Sequence, residues 1–384
     1  MRKTVLIMAG GKGERFWPKS RISLPKQFLC LTDDKKSMIR LTVERIRRLT
    51  DYDNIFIATG EMYKDLVRKH LPEIPEENII CEPEGKNTAP CIGLGAAHIY
   101  TKYADQADDT VMMVLPSDHL VKQDDIFVQT LEAACDTAYT GDKLVTIGIT
   151  PTYAETGYGY IRFEKNRSNE ADPGIPVYPV REFAEKPDAD TAAKYLEDGR
   201  FLWNSGMFIW RMDTIRKAFK KYLPDTFENL ERIRNTIGSE AYEDTLRHEF
   251  ADIGSESVDY GIMEKADNIF ILPGRFGWDD VGSWPSLARV NVTDPRGNLV
   301  RGQCVLLDTD NCIIENIGTN ITYSADHGDF TADNPGDRLV AVLGMKDTVV
   351  VNTDDVVLVA QKDKCGDIKK LLQDLRNADM ERLL

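Results

Sequence analysis

The first 150 residues alternate between short apolar runs and longer segments in which apolar positions recur every three or four residues. Runs such as TVLIM, NIFIAT, NIICE, TVMMVLP and LVTIGI are apolar almost throughout, which predicts strands buried on both faces. The segments between them, such as SMIRLTVERIRRLT and IFVQTLEAACDTAY, have the spacing of amphipathic helices. This alternation predicts an α/β fold with a mixed, mostly parallel sheet covered on both sides.

The hydrophobic pattern changes twice further along the chain. From about Thr156 to Trp210 it predicts strands and loops inserted into the α/β core, and helical segments follow from about Asp213 to Arg247. After Asp294, short β-branched runs broken by Asp, Asn and Gly predict a small β-solenoid or β-sandwich, and a last amphipathic helix is expected at about Asp367 to Leu384. We therefore predict two domains, residues 1–294 and 295–384.

Composition and charge narrow the classes of function. The 384 residues carry a formal net charge of −15, which argues against nucleic-acid binding by bulk charge. No apolar run approaches the length of a membrane span, and the chain opens on a strand rather than a signal peptide. The seven cysteines form no CxxC pair and the five histidines do not cluster, so we expect reduced thiols, a cytoplasmic protein and no zinc site.

The loop after the first predicted strand, GGKGERFWPKSRISLPK, carries the first chemical signal. It lacks the spacing of a Walker A loop. It also differs from the dinucleotide fingerprint, since Phe16 stands where the third glycine of that fingerprint would be. However, Arg15 and Lys26 add two cations beside glycine N–H groups, a combination that suits a polyphosphate. Two further loops, EPEGKNTAP and PSDH, follow predicted strands at the same carboxyl edge of the sheet, where α/β proteins bind ligands.

These motifs, followed in order by GYGYI, FAEKPD, FLWNSGMFIW and WDDVGSW, resemble those of the sugar-nucleotide pyrophosphorylases, a family of nucleotidyltransferases. The resemblance covers about residues 1–365 and is strongest to the branch that uses mannose and guanine nucleotides. It implies a Rossmann-like, glycosyltransferase-A-like catalytic domain and a small C-terminal β-rich domain, for which a left-handed β-helix is one candidate form. One departure is Glu14, where many members have Thr or Ser; we expect this carboxylate to point away from the phosphates or to pair with a cation.

The resemblance implies transfer of GMP from GTP to mannose 1-phosphate, giving GDP-mannose and pyrophosphate. The attacking phosphate oxygen is already an anion, so the task is to position and neutralise two anions, for which Mg²⁺ is the expected cofactor. By resemblance, Asp118 and Asp280 are the metal ligands, and Asp279 is the less favoured ligand of its pair, since the family motif places the carboxylate immediately before Val-Gly. Arg15 and Lys26 would hold the triphosphate, with backbone donors from Gly10, Gly11 and Gly13.

The remaining site residues follow from the other motifs of the resemblance. Gly85 and Asn87 of EPEGKNTAP are expected to contact the base, although Asn87 could instead cap the following helix. Mannose 1-phosphate binding is assigned to Gly159, Glu185, Lys186 and Asn204, together with Asp280. We expect the nearby aromatic residues, Trp203, Phe208 and Trp210, to be core packing.

Two other possibilities for the function stay open at the level of sequence. The same transfer on another hexose 1-phosphate or with another nucleotide is the nearest alternative, and a non-catalytic nucleotide-sugar sensor is a less favoured one, because the charged residues are all present. Some relatives carry a fused phosphomannose isomerase domain, for which the chain is too short, so we expect no isomerase activity. Unpaired strand edges in the β-rich tail predict a homodimer.

Overall fold

The computed structural model describes residues 1–11, 13–33, 35–165, 174–184, 186–317 and 338–384, and the backbone of 321–324 and 329–332. The α-helices are α1 (Met38–Ile46), α2 (Lys64–His70), α3 (Thr88–Lys102), α4 (Asp124–Tyr139), α5 (Ala189–Asp198), α6 (Met212–Tyr222), α7 (Pro224–Arg234), α8 (Tyr242–Asp252), α9 (Trp284–Val290) and α10 (Ile368–Asn377). The strands are β1 (Arg2–Met8), β2 (Ile55–Gly60), β3 (Ile79–Glu82), β4 (Thr110–Pro116), β5 (Leu120–Val121), β6 (Leu144–Ile149), β7 (Tyr160–Phe163), β8 (Tyr178–Ala184), β9 (Phe201–Arg211), β10 (Ile269–Gly274), β11 (Trp278–Asp279), β12 (Leu299–Arg301), β13 (Cys304–Leu307), β14 (Ile313–Asn316), β15 (Ile321–Ser324), β16 (Asp329–Ala332), β17 (Val340–Leu343), β18 (Thr348–Asn352) and β19 (Val357–Gln361).

The chain folds into two compact units, each built from separate stretches of sequence. The unit that we call the sheet unit comprises Met1–Gly10, Val43–Ser117 and Val121–Trp278. The other, the solenoid unit, comprises Gly11–Thr42, Asp118–Leu120 and Asp279–Leu384. The glycine loop and the loops that carry Asp118 and Asp280 therefore belong to the same compact unit as the C-terminal strands. The predicted domain boundary at residue 294, which follows chain order, stays a prediction.

A nine-stranded sheet with the order β3-β2-β1-β4-β9-β6-β10-β8-β7 forms the centre of the sheet unit. Its first strands are parallel, as the alternating pattern predicts, and each runs in register with its neighbour, as in Val5 opposite Ile55 and Met113. Val5, Leu6 and Ile7 are fully buried. Strands covered on both faces in this way read as continuous apolar runs, which is why the sequence revealed them.

The sheet is mixed, as predicted, but the prediction that most of its strand pairs are parallel is wrong. Half of the neighbouring strand pairs are antiparallel, because β9 runs antiparallel between β4 and β6, and β8 and β7 are antiparallel to their neighbours. The stretch predicted as an insertion thus supplies a central strand of the sheet. This region also contains helix α5, which the sequence interpretation missed; its N-cap, Asp188, accepts a hydrogen bond from the Thr191 N–H at 2.8 Å.

The C-terminal strands of the solenoid unit stack as short parallel rungs. Strand β14 pairs in parallel with both β12 and β18, with Ile313 opposite Leu299 and Val349, and β13 pairs in parallel with β17. Parallel stacking of this kind is typical of a β-helix rather than of an antiparallel β-sandwich, so the solenoid alternative is the correct one. Strand β19 closes the stack as an antiparallel neighbour of β18.

The hydrophobic core of the solenoid unit joins these rungs to the glycine loop. Phe16 and Trp17 belong to the same buried cluster as Trp284, Ile313 and Val349. The Trp284 indole N–H donates to the Trp17 carbonyl at 3.1 Å, and the rings of Phe16 and Trp284 meet edge to face. The core of the β-rich domain therefore supports the loop that the sequence assigned to phosphate binding. No helix in the described ranges is both long and apolar enough to cross a membrane.

Candidate functional site

The turn at Gly13 places the glycine loop directly against Lys26. Gly13 has a φ of 61°, and a Cβ atom at this position would lie 2.5 Å from the backbone nitrogen of Lys26. A side chain is therefore excluded both by the left-handed backbone and by the close approach. The Ser20 hydroxyl donates to the Gly13 carbonyl at 2.7 Å and holds the turn from the other side.

The Lys26 ammonium connects the two carboxylate loops. Its Nζ lies 2.8 Å from Oδ2 of Asp118 and donates to the main-chain carbonyl of Asp280 at 2.6 Å. Lys26 begins a short 3-10 helix directly after Pro25, and its side chain is buried. A buried lysine is stable in its charged form when it is paired in this way, so the contacts fix a cation at a defined point of the loop.

Asp118 is ionised at neutral pH. Burial by itself would raise its pKa, but the Lys26 ammonium and His119 outweigh that effect and hold the pKa below its ordinary value. The side chain remains 30% exposed, so part of the carboxylate faces solvent. These properties suit a carboxylate that can bind a divalent cation while it keeps its contact with lysine.

The two neighbouring carboxylates of the WDDVGSW motif have different surroundings. Asp279 is engaged, since it accepts from the Val281 N–H at 2.8 Å and pairs with Arg289 at 3.0 Å. Asp280 accepts from the Gly282 N–H at 3.1 Å, and a Cβ atom at Gly282 would lie 2.6 Å from its Oδ2. The missing side chain at Gly282 thus leaves room for the Asp280 carboxylate.

A cleft of about 430 Å³ in the solenoid unit brings these predicted residues together. Its walls contain the carboxylates of Asp118 and Asp280 in addition to Glu14, and one or two carboxylates are the usual protein contribution to a Mg²⁺ ion that also binds substrate phosphates. The residues of the cleft therefore fit such an ion, although the described part of the chain contains no cluster of three or more His, Cys, Asp or Glu side chains placed to hold a metal without substrate. The lining residues are Gly13, Glu14, Arg15, Phe16, Lys26, Asp118, His119, Asp280, Gly282 and Lys369. Gly11, also predicted, belongs to the same unit and is exposed.

In the EPEGKNTAP loop of the sheet unit, Asn87 acts as a helix cap. It is the N-cap of α3 with a φ of 72°, and its Oδ1 accepts from the Thr88 N–H at 2.8 Å. The side chain is exposed, and its amide NH₂ group is not part of the cap. Gly85 is also exposed, with open space where a Cβ would be. The capping interpretation is thus confirmed, and base contact by Asn87 or Gly85 stays a prediction.

Glu82, at the start of the same loop, is a buried acid that the sequence interpretation did not single out. Only 6% of its surface is exposed, and its Oε1 has no hydrogen-bond partner among the described residues. Burial raises the pKa of Glu82 to about 7. A Cβ atom added at Gly10 would lie 3.4 Å from its Oε2. The sequence pattern that could have identified Glu82 is an acidic residue at the end of a buried strand.

Two of the predicted sugar-phosphate residues meet in the sheet unit. The Asn204 N–H donates to the Gly159 carbonyl at 2.8 Å, and the Asn204 side-chain amide donates to Asp259 Oδ1 at 2.6 Å. Asp259 was not predicted, and it fixes the orientation of the Asn204 side chain. Lys186 is exposed with a φ of 45°, and Glu185 lies outside the described residues. The three aromatic residues expected in the core, Trp203, Phe208 and Trp210, are buried as predicted.

Comparison with known proteins identifies the family. The profile of the family described as Nucleotidyl transferase matches residues 4–296, which is more than half of the chain. The chain belongs to the nucleotidyl transferase family. A second profile, described as MannoseP isomerase/GMP-like beta-helix domain, matches residues 331–375 and agrees with the parallel rungs of the solenoid unit. The resemblance drawn from the motifs is confirmed.

Relatives within this nucleotidyl transferase family are similar over nearly the whole chain. The mannose-1-phosphate guanylyltransferase of Salmonella montevideo is 37% identical over 97% of this chain and 74% of its own length. The enzyme of the same name from Escherichia coli K12 is 35% identical over 97% of this chain and 73% of its own length. A crystal structure described as mannose-1-phosphate geranyltransferase from Thermus thermophilus is 32% identical, has a TM-score of 0.80, and aligns over 98% of this chain and all of its own.

Proposed function

We propose that the protein transfers GMP from GTP to α-D-mannose 1-phosphate, with release of pyrophosphate and formation of GDP-mannose. The observation that carries this proposal is the cleft in which Lys26 contacts both Asp118 and the Asp280 loop, in a chain 37% identical to a mannose-1-phosphate guanylyltransferase. A phosphate oxygen of the sugar attacks the α-phosphorus of GTP and the bond to pyrophosphate breaks, so no proton has to be removed from the nucleophile.

In this proposal, the cations of the cleft neutralise charge on the polyphosphate. Lys26 is fixed by its contacts and needs little reorganisation during the reaction, whereas Arg15 is exposed and can adjust to the substrate. The backbone N–H groups of Gly10, Gly11 and Gly13 are proposed to donate to phosphate oxygens. Asp118 and Asp280 are proposed to hold a Mg²⁺ ion, which when bound stabilises the charge that develops on the phosphates.

The base is proposed to be read at the EPEGKNTAP loop, with Glu82 as a contact beside Gly85 and Asn87. Guanine presents two adjacent donors, N1–H and the 2-amino group, which match the two acceptor oxygens of an ionised carboxylate. The pKa of Glu82 is about 7, so hydrogen bonds from these two donors would favour its ionised form. Among the described residues, one buried oxygen of Glu82 has no hydrogen-bond partner. This supports guanine as the base, because uracil and thymine each have a single ring N–H donor on the corresponding edge. Its surroundings beside Gly10 leave space for close approach.

The sugar phosphate is proposed to contact Gly159, Asn204, Lys186 and Glu185, with Asp280 bound to the shared ion. The Asn204 side chain is oriented by Asp259 and by the Gly206 N–H, which donates to its Oδ1 at 3.0 Å. Because hydrogen bonds hold both the oxygen and the nitrogen of this amide, its orientation is fixed. It is therefore suited to contact a sugar hydroxyl group at one defined position. The choice between mannose and another hexose rests on the relatives and not on this contact.

We also propose finer features of the fold. The parallel β3-β2-β1-β4 half of the sheet supports a Rossmann-like, glycosyltransferase-A-like arrangement. For the parallel rungs of β12, β14 and β18 we propose a left-handed winding, as the resemblance implies.

A cytoplasmic location is proposed as well. The seven cysteines are free thiols, which supports this location.

A homodimer through the solenoid unit is proposed as well. Val305 and Leu307 of β13 and Leu343 of β17 are 55%, 61% and 69% exposed, and Leu307 lies opposite Leu343 in the paired strands. Exposed apolar side chains at the edge of a solenoid favour association. Light scattering should give the mass of two chains at micromolar concentration, and Leu307→Lys with Leu343→Lys should give one; a wild-type mass of one chain would contradict the dimer.

The experiment that tests the function is a pyrophosphate-release assay over a grid of nucleotides and sugar phosphates. With Mg²⁺ present, release should need both GTP and mannose 1-phosphate. The Glu82→Gln variant, which replaces one acceptor oxygen by a donor, should lose selectivity for GTP over ITP, since ITP lacks the 2-amino group. Equal or better turnover with UTP or dTTP and glucose 1-phosphate would overturn the guanine and mannose assignment and would favour the alternative substrates. Binding of nucleotide sugar without turnover would favour the sensor.

A further inference from the structure

Glu14 of the glycine loop pairs with a residue of the last helix. The Arg376 guanidinium of α10 donates to Glu14 Oε1 at 2.7 Å, and both side chains are partly buried. Glu14 lines the cleft, where an unpaired carboxylate would repel phosphate. The pair therefore removes from the loop a negative charge that would otherwise oppose an anionic ligand.

Helix α10 is firmly docked on this loop. Its buried side chains, Ile368 and Leu372, belong to the same hydrophobic cluster as Phe16 and Trp17. Beyond the helix, the Trp17 indole N–H donates to the Leu383 carbonyl at 2.6 Å. The Arg21 guanidinium donates to the same carbonyl. These contacts fix the rotation of the helix about its axis, and with it the direction of the residues that flank its buried face.

Lys369 flanks the buried face, three residues before Leu372, and lines the cleft together with Arg15, Lys26 and Asp118. It precedes Arg376 by seven residues, which is two helical turns, so both cations lie on the same side of α10. The next residue, Lys370, pairs instead with Asp367 at 2.8 Å and does not line the cleft. Both adjacent lysines are exposed, but their surroundings differ, and of the two it is Lys369 that lines the cleft.

We infer that the C-terminal helix is part of the phosphate site: Lys369 contacts the phosphates directly, and Arg376 is a positioning residue that acts by neutralising Glu14. This inference rests on the proposed function in that the ligand of the cleft is the triphosphate or the pyrophosphate of that reaction. It adds a third cation to Arg15 and Lys26, supplied by an element about 350 residues further along the chain. Three cations match a group that carries three to four negative charges at neutral pH better than two do.

The test measures binding of magnesium pyrophosphate to the full-length protein by calorimetry, which does not depend on which nucleotide or sugar the enzyme uses. Lys369→Ala should weaken binding about tenfold, the usual size of one charge-assisted contact, and Lys369→Arg should stay within about threefold of wild type. Lys370→Ala is the matched control and should leave the affinity unchanged. Equal affinities of the Lys369→Ala and Lys370→Ala proteins would overturn the role of Lys369.

The role of Arg376 is tested by a pair of variants. Arg376→Ala leaves the Glu14 carboxylate unpaired in the cleft and should also weaken pyrophosphate binding about tenfold. The double variant Glu14→Gln/Arg376→Ala removes that charge and should recover to within about threefold of wild type. If Arg376 only docks the helix, the double variant will bind as weakly as Arg376→Ala, which would overturn the positioning role.

Failure of the proposed substrates can be distinguished from failure of this inference. A wild-type protein that turns over other substrates but binds pyrophosphate through Lys369 would refute the proposed substrates and leave this inference standing. A wild-type protein that binds no pyrophosphate would overturn both.

Discussion

The Lys19 ammonium lies 2.7 Å from a carboxylate oxygen of Glu315, and both side chains are almost completely buried. Arg301 contacts the other oxygen of Glu315 at 3.1 Å and donates to the Leu31 carbonyl at 3.0 Å. Burial would raise the pKa of Glu315, but Lys19 and Arg301 outweigh it and lower the pKa below its ordinary value. A charged network thus joins the glycine loop to the β-helix strand β14 within the solenoid unit.

We predict that Glu315→Gln destabilises the protein by about 3 kcal/mol, since it leaves the largely buried cations of Lys19 and Arg301 without their counter-charge. Urea unfolding followed by circular dichroism measures the loss. Asp51→Asn is the control, because it breaks an exposed pair with Arg47 and should cost less than about 1 kcal/mol. Equal effects of the two substitutions would show that the buried network does not stabilise the loop.

A second prediction concerns the proposed metal ligands. Asp280→Asn and Asp118→Asn should each lower kcat about 100-fold or more, because each removes a negative charge from the proposed ion site. If both carboxylates hold one ion, the double variant should lose much less than the product of the two single losses. Steady-state kinetics at saturating substrate measures these changes, with circular dichroism to check that the variants are folded.

Asp279→Asn is the internal control for these variants. The Asp279 carboxylate is occupied by Arg289 and by the Val281 N–H, so its loss should change kcat only slightly. A folded Asp280→Asn enzyme with near-normal turnover, or an inactive Asp279→Asn enzyme, would refute the assignment of the pair.

The turn at Gly13 leads to a third prediction. Gly13→Ala places a methyl group 2.5 Å from the Lys26 backbone nitrogen, so the loop and the Lys26 backbone must move apart. This movement disturbs the contact between Lys26 and Asp118. We expect weaker binding of GTP and a loss of stability of about 1–3 kcal/mol. Gly11→Ala is the comparison, since among the described residues no atom outside its chain neighbours lies within 4 Å of a Cβ at that position, and stability should be unchanged. Identical unfolding midpoints for the two variants would contradict this account of the turn.

A fourth prediction is a pH dependence caused by Glu82. Its pKa is raised by burial from 4.5 to about 7, so the unfolded chain loses this proton at a lower pH than the folded protein. The stability that protonated Glu82 contributes to the folded protein is therefore fully present below pH 4.5 and is lost as the pH rises through about 7. The loss amounts to about 3 kcal/mol at most. Glu82→Gln stays neutral, so its stability relative to wild type should increase between pH 5 and 8, as urea unfolding can measure. A constant difference across this range would contradict the raised pKa.

The elements that could be predicted from sequence are those whose signal is local. Buried parallel strands such as β1 and β4 read as continuous apolar runs, and the helices between them have a clear period. The order of strands in the sheet is not a local property, so the central position of β9 could not be read from its apolar run. The capping signal of α5, Asp188 before a helical segment, was present but was outweighed by the surrounding strands.

The same distinction applies to the cleft. Lys26, Asp118 and Asp280 could be predicted because each lies in a short motif after an element that the sequence reveals. Arg376 and Lys369 could not, because nothing near them in the sequence indicates that α10 packs on a loop 362 residues away. Glu82 lies inside a recognised motif, but its burial and its unpaired oxygen are properties of the packed structure, as far as the described residues show it.

The central claim is that the protein joins the GMP part of GTP to an intact mannose 1-phosphate. The most direct measurement is mass spectrometry of the products formed from GTP and deuterium-labelled mannose 1-phosphate in the presence of Mg²⁺. We predict GDP-mannose that carries the whole sugar label, together with an equal amount of pyrophosphate. Free GMP with unchanged labelled mannose 1-phosphate, or the label in a sugar nucleotide only when UTP or dTTP replaces GTP, would contradict the claim.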